Sequence, residues 1–381
     1  MSSPAFIPYG KQSITEEDVH AVIQTLQSDW LTTGPKVHEF ERDLAGYCGA
    51  QHAVAVNSGT AALHCAMAAL DIKPGDEVIV PAISFVATAN CVVYRGGTPI
   101  FADVHADSVL IDAVDVARKI TPQTKAIIAV DYAGQPADYS ALRDAIGKRD
   151  IALVADACHS IGGTDADGRK AGNIADLSAF SFHPVKPITS GEGGAITTNN
   201  AAYDKRMRAF RNHGIDTDHR EREKQGAWHY DMQELGFNYR LTDFQCALAS
   251  SQLKKLDTWV TRRAAIAEAY LTAFAEFDGV SPLKIFPAVQ HAWHIFVVLL
   301  KDAGNRDAMF TELRRRGIGA NVHYRPIYQH TYYRNAFPSS AICPVAEKVF
   351  PALLTLPLHV HMTNDDVRRV IKAVKETAEK E

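Results

Sequence analysis

Five short apolar runs, at 53–56, 77–80, 99–102, 126–130 and 151–154, constrain this chain more than any other feature, because each is followed by a loop and most lead into residues at helical spacing. Four are near-continuously apolar rather than alternating. Strands buried on both faces by helices in a mostly parallel sheet have that pattern, so an α/β fold is expected. Residues 177–182 and 194–198 read as two more strands, and 201–212 and 241–275 as helical. Ahead of the sheet, Thr15 and the acids Glu16, Glu17 and Asp18 mark a helix start, with Val19, Val22, Ile23 and Leu26 spaced as the apolar positions of a helix over 15–28. Pro35 suits the first turn of a second helix, with Val37, Phe40 and Leu44 on one face. Toward the C-terminus the pattern changes to strands at 294–300 and 318–324 around a helix at 306–316, with another helix at 364–379. The expected organisation is a large α/β domain over 1–250 and a small α+β domain over 251–381.

Composition narrows the function classes. Apolar residues make up 46% of the 381, enough for a sizeable core, and the formal charge of −4 offers no net positive field for a nucleic-acid backbone. The six cysteines are scattered without C-x-x-C pairs and read as buried free thiols in a reducing cytoplasm. No basic-then-apolar leader and no run of membrane-spanning length is present, so a cytoplasmic protein without a membrane partner is expected.

Three segments after strands could carry chemistry. Ser58-Gly59-Thr60 lies between a strand and a helix, where free N–H groups and two hydroxyls suit a phosphate, though helix capping accounts for the same residues. Asp156 follows an apolar strand, at the end of a sheet where α/β folds bind ligands, or else caps a helix. Lys186 lies between Pro184 and Pro187 and ahead of Gly191, Gly193 and Gly194; a lone lysine is ordinarily a solvated charge, but this backbone is stiffened around it. A phosphate site, a carboxylate and an amine together suit pyridoxal 5'-phosphate, whose ring nitrogen needs an acidic partner and whose aldehyde condenses with lysine. Arg314, Arg315 and Arg316 end a helix and read as dipole or solvated charges, and His359 and His361 lack the partners of a metal site, so no metal is expected.

These motifs, with 81–90 (PAISFVATAN), 130–134 (VDYAG), 236–241 (GFNYRL) and 322–329 (VHYRPIYQ), resemble the DegT/DnrJ/EryC1/StrS sugar aminotransferases along nearly the whole chain, and within them the pseudaminic-acid branch. The resemblance implies the fold type I, aspartate aminotransferase-like architecture of pyridoxal-phosphate transferases: a large domain with a mostly parallel mixed sheet and a small C-terminal α+β domain. It implies Lys186 as the lysine joined to the cofactor, Asp156 on the pyridine nitrogen, Phe85 on the ring face, and Gly59, Thr60 and Ser181 on the phosphate. Asn238 reaches the phosphate of the opposite subunit in a homodimer. His159 stands near the 3-hydroxyl, where many relatives carry glutamine. Tyr9, Thr32, Tyr324 and Arg325 are implied substrate contacts. The implied reaction aminates C4 of a UDP-linked 4-keto-6-deoxy-N-acetylhexosamine with L-glutamate as donor. The alternatives are another UDP- or dTDP-linked keto sugar, or a cofactor-binding regulatory protein without turnover; a related dehydratase branch replaces the lysine with histidine, which Lys186 opposes.

Overall fold

The structure is a computed structural model that describes residues 5–215, 217, 222, 226–337 and 343–379. Its main sheet has seven strands: β1 (His52–Val56), β2 (Glu77–Pro81), β3 (Thr98–Ala102), β4 (Thr124–Val130), β5 (Ala152–Asp156), β6 (Leu177–Ser181) and β7 (Gly194–Thr198), in the order β1-β7-β6-β5-β4-β2-β3. Every pairing is parallel except the two made by β7, so six strands point one way. The five apolar runs are all strands, and their residues are almost wholly buried because helices cover both faces.

The helices are α1 (Glu16–Leu26), α2 (Pro35–Cys48), α3 (Gly59–Ala69), α4 (Ala87–Tyr94), α5 (Ala113–Lys119), α6 (Tyr139–Ile146), α7 (Ala201–Phe210), α8 (Asp243–Leu253), α9 (Leu256–Phe274), α10 (Arg306–Arg315), α11 (Thr331–Ala336), α12 (Pro344–Val349) and α13 (Asn364–Ala378). A second sheet, β10-β9-β8, joins β8 (Val280–Pro282), β9 (Phe296–Leu300) and β10 (Leu353–Leu356) in antiparallel pairs. Its core unites Ile7, Tyr270, Phe274, Phe296, Leu313 and Val370, separate from the cluster around the large sheet.

Three sequence expectations are corrected. The residues 241–275 form two helices, α8 and α9, with Lys254 and Lys255 between them; Lys255 turns its amine onto Asp18 and Thr15, both at 2.6 Å. The residues 318–324 form no strand, only isolated bridges to Ile7 and Thr355, because Asn321 Oδ1 accepts the Val322 N–H at 2.8 Å that a ladder would use. The apolar stripe of α1, Val19, Ile23 and Leu26, is exposed. Its buried side carries Asp18, which accepts hydrogen bonds from Ser251 and Gln252 of α8 and from Lys255. A buried carboxylate with these three donors sets the rotation of α1, and the apolar residues follow.

At the open edge of the sheet, Glu41 from α2 accepts the Ala55 N–H at 2.9 Å, while Arg208 donates to Ala53 O at 2.9 Å and Arg211 to Ala55 O at 2.6 Å. Both arginines also pair with Glu41. Side chains thus occupy the backbone groups that an unpaired edge strand exposes.

Candidate active site

The strand ends bring the three motifs together. Val56 of β1 and Ser181 of β6 both stand opposite Gly194 of β7, so the turn at Ser58–Thr60 and the loop to Lys186 leave the sheet two strands apart. Asp156 ends β5 opposite Ala179, two residues before Ser181. The approach is close: a Cβ on Gly59 would lie 2.8 Å from Ser181 Cβ and 3.3 Å from Cys158 Sγ, so glycine lets the N-terminus of α3 press against the loop. Ser58 is the helix cap, accepting Ala61 N–H at 3.1 Å, which leaves the Gly59 and Thr60 N–H groups as the terminal donors of α3. The capping reading of Ser58 therefore holds, and it leaves the Gly59 and Thr60 N–H groups, close to Ser181, free of the cap.

Asp156 caps no helix, since a turn follows it; its Oδ2 accepts from Thr88 Oγ1 at 2.7 Å, and beyond that, among the described residues, it meets only the Cys158 N–H, 3.4 Å from Oδ1, and the Cys158 thiol. Lys186 is half-buried with its amine in no ion pair or hydrogen bond among the described residues. Burial pushes that amine below its ordinary value, against the pull of Cys158 and Asp156 beside it. Cys158 is not the fully buried thiol expected from sequence; it lines this pocket half-buried, with burial and then Asp156 holding its thiol well above the usual range.

His159 lies between Tyr324, whose hydroxyl is 3.2 Å from Nε2, and His294, whose ring centre is 4.5 Å away. Burial and then Lys186 keep both imidazoles far below their ordinary pKa, and each has a buried Nδ1 without a partner. Gly134, at φ 114°, makes this packing possible: its carbonyl accepts Ala292 N–H at 2.8 Å, and a Cβ there would meet Trp293 N at 2.8 Å and His159 O at 3.0 Å. The ring of Phe85, 56% exposed, stands 6.1 Å from that of Tyr324 and presents an open face. Tyr132 donates to His323 O, and the His323 ring contacts Tyr9 at 5.4 Å, which brings Tyr9 to the margin of the same pocket.

The other sequence candidates lie elsewhere within the chain. Thr32 is exposed and bridges to Thr242 in a separate groove with Arg211 and Arg240, while Arg325 is exposed beyond Tyr324. Asn238 is exposed too, its carbonyl accepting from Asn57 Nδ2 at 3.4 Å and its side-chain amide without a partner among the described residues. Sequence reasoning missed Ser84, Thr88, Tyr132, His294 and His323 as pocket residues. Ser84 and Thr88, four apart across the start of α4, left a spacing signal; His294 left none, because a separate loop delivers it.

The arrangement fits pyridoxal phosphate on its own terms. Among the described residues, unpartnered Nδ1 atoms at His159 and His294, a half-buried lysine amine in no ion pair, an Asp156 carboxylate met beyond Thr88 only by the weak donors of Cys158, and a helix N-terminus against Ser181 together match a ring, an aldehyde, a pyridine nitrogen and a phosphate. Fold and pocket define a pyridoxal-phosphate-dependent sugar aminotransferase. The chain belongs to the DegT/DnrJ/EryC1/StrS aminotransferase family, whose sequence profile matches residues 12–375. It is 38% identical over 377 residues to the spore coat polysaccharide biosynthesis protein SpsC of Bacillus subtilis, covering 97% of both chains. Among solved structures it is similar to Spr1654 of Streptococcus pneumoniae, described as a sugar aminotransferase, in its PMP form (TM-score 0.93, 33% identity, 98% of this chain and 99% of that one). It is likewise similar to PseC of Helicobacter pylori, an aminotransferase of pseudaminic acid biosynthesis (TM-score 0.92, 32% identity, 99% of this chain and 100% of that one).

Proposed function

We propose that this aminotransferase carries the amino group of L-glutamate to C4 of a UDP-linked 4-keto-6-deoxy-N-acetylhexosamine, giving UDP-4-amino-4,6-dideoxy-N-acetyl-β-L-altrosamine for pseudaminic acid. The observation that carries the reading is Lys186, an amine in no ion pair or hydrogen bond among the described residues, its pKa lowered by burial, with Cys158 and Asp156 beside it. The likeness to PseC along the full chain supports the choice of sugar. Pyridoxal phosphate, when bound, supplies the electron sink that makes the donor's α-carbon acidic. Lys186 Nζ is the base that takes the α-proton of glutamate in the first half-reaction and the acid that delivers a proton to the sugar's C4 in the second. A lowered pKa favours the neutral amine that takes the α-proton. Gly59, Thr60 and Ser181 hold the phosphate, Asp156 takes the pyridine nitrogen, Phe85 covers one ring face and His159 the 3-hydroxyl. Tyr9 and Tyr324 border the sugar.

The test offers the purified enzyme UDP- and dTDP-linked 4-keto sugars with glutamate and identifies the products by NMR. A 4-amino-altrosamine product from the UDP sugar is expected; preference for a dTDP sugar, or amination at C3, would overturn the substrate assignment.

The same reading pairs two copies of the chain, with Asn238 and the substrate contacts Thr32 and Arg325 completing the opposite site. Exposed Trp228, Tyr230, Met232, Leu235 and Phe237 beside Asn238, and the bare apolar stripe of α1, support a covered surface. Mixing Lys186→Ala and Asn238→Asp chains, each poor alone, should restore up to roughly a quarter of wild-type activity, because about half the dimers are mixed and hold one intact site. No recovery despite proven subunit exchange would place Asn238 outside the partner's site.

A further inference from the structure

Asp156 is held from behind by a two-hydroxyl chain that no catalytic role accounts for. Thr88 Oγ1 lies 2.7 Å from Asp156 Oδ2, and Ser84 Oγ lies 2.7 Å from Thr88 Oγ1. Both hydroxyls are buried away from water, Thr88 completely. A carboxylate only accepts, so the Thr88 hydrogen points to Asp156, and Thr88 in turn accepts the hydrogen of Ser84. The direction of the chain is therefore fixed, from Ser84 through Thr88 to Asp156.

We infer that Thr88 is a positioning residue for Asp156: it commits Oδ2 and leaves Oδ1 as the oxygen that meets the ring nitrogen. The inference rests on the reading that Asp156 pairs with the pyridine nitrogen. Three features of the structure carry it. Beyond Thr88, Asp156 meets only weak donors among the described residues, the Cys158 N–H at 3.4 Å on Oδ1 and the Cys158 thiol, and neither competes with a charged donor. Thr88 N–H bonds to Phe85 O at 3.2 Å, so one turn supplies both the aromatic ring for the cofactor's face and the hydroxyl that orients its carboxylate partner. With the Thr88 hydrogen on Asp156, Ser84 at 2.7 Å supplies the hydrogen that Thr88 Oγ1 accepts, so both hydroxyls of the chain are partnered in this one arrangement. A threonine free to rotate would offer its hydroxyl to a backbone carbonyl of the preceding turn instead.

The test compares holoenzymes carrying 15N-labelled cofactor, reading the pyridine 15N chemical shift alongside steady-state constants. Thr88→Val keeps the shape and removes the donor. It should move the 15N shift toward the unprotonated ring and lower kcat about tenfold or more, with KM for the sugar within about twofold, as expected for loss of one hydrogen bond to a charged group. Thr88→Ser should restore both. Ser84→Ala should move them in the same direction by less, and stands as the readable variant if Thr88→Val fails to fold. Asp156→Asn separates the two ideas: if it moves the 15N shift while Thr88→Val and Ser84→Ala leave shift and kcat at wild-type values, Thr88 is a structural hydroxyl and the inference is overturned with the role of Asp156 intact. If Asp156→Asn leaves the shift unmoved, the reading of Asp156 falls and this inference with it.

Discussion

At the outer edge of β1, Glu41 is buried and fully engaged, meeting one backbone N–H and two guanidinium groups, while those guanidinium groups also take carbonyls of the strand. At the C-terminal end of the same sheet, His159 and His294 are as deeply buried, yet among the described residues each keeps an Nδ1 without a partner, and the Lys186 amine is in no ion pair or hydrogen bond. Satisfied groups at the edge do structural work. Unsatisfied groups at the strand ends are the ones a ligand completes, since burying a polar atom without a partner costs on the order of 1–3 kcal/mol that a cofactor can return. The difference separates these two regions more sharply than burial does, although His64, Ser178, Ser250, Arg263 and His359 also bury polar atoms without a partner among the described residues.

The comparison predicts opposite profiles for mutations in the two regions. Lys186→Ala should lower kcat by about 10³-fold or more while leaving the urea midpoint of the apoprotein unchanged or slightly raised, because it deletes a desolvated amine. Turnover that survives in this variant, measured by 2-oxoglutarate formation, would break the assignment. Glu41→Gln should do the reverse, costing about 3 kcal/mol of stability by leaving Arg211 without its carboxylate, while Arg208 keeps Asp204, with kcat of the folded fraction close to wild type. A midpoint within error of wild type would show that the cluster contributes nothing to the edge.

Acid should separate the regions in a known order. Burial lowers His159 and His294 well below their ordinary range and His323 and His291 to about 4 and about 3, so the folded state binds fewer protons than the unfolded one below pH ~6.5. Each such histidine should cost up to about 2 kcal/mol by pH 5. Asp131, pushed up to about 6 by burial, works in the opposite sense and offsets part of that loss. Burial alone would raise Glu41, but Arg211 and Arg208 hold it low, so its contribution is lost only below pH ~4.3. The urea midpoint of the apoprotein should therefore fall between pH 6.5 and 5 in wild type and Glu41→Gln alike; a flat midpoint over that range would sharpen doubt onto the buried histidines.

How much of this was legible beforehand follows from the range of the forces involved. The strands of the large sheet were readable because runs such as 126–130 must be apolar wherever helices cover both faces, and Asp156 and Lys186 were readable because they follow such runs. The rotation of α1 was not, since the residues that bind Asp18 lie more than two hundred positions away in α8 and at Lys255. The failure of 318–324 to form a strand depends on one side-chain bond from Asn321, a local competition invisible to periodicity. His294 joined the pocket only through the turn at Gly134, where a tertiary contact and a positive φ coincide. The Ser84–Thr88 pair had a sequence signal, but its meaning required knowing that β2 and β5 end on the same side.

The antiparallel strand β7 has a consequence for the order in which the protein is made. Gly59 and Ser181 are 122 positions apart, and β7 is the strand that lies between β1 and β6 and spaces them. A growing chain on the ribosome carries Gly59, Thr60 and Ser181, its own part of the proposed phosphate site, once Ser181 has emerged, but that part has no shape until 194–198 has inserted. Cofactor capture is thereby tied to completion of the sheet, a late, long-range event in folding rather than an early local one.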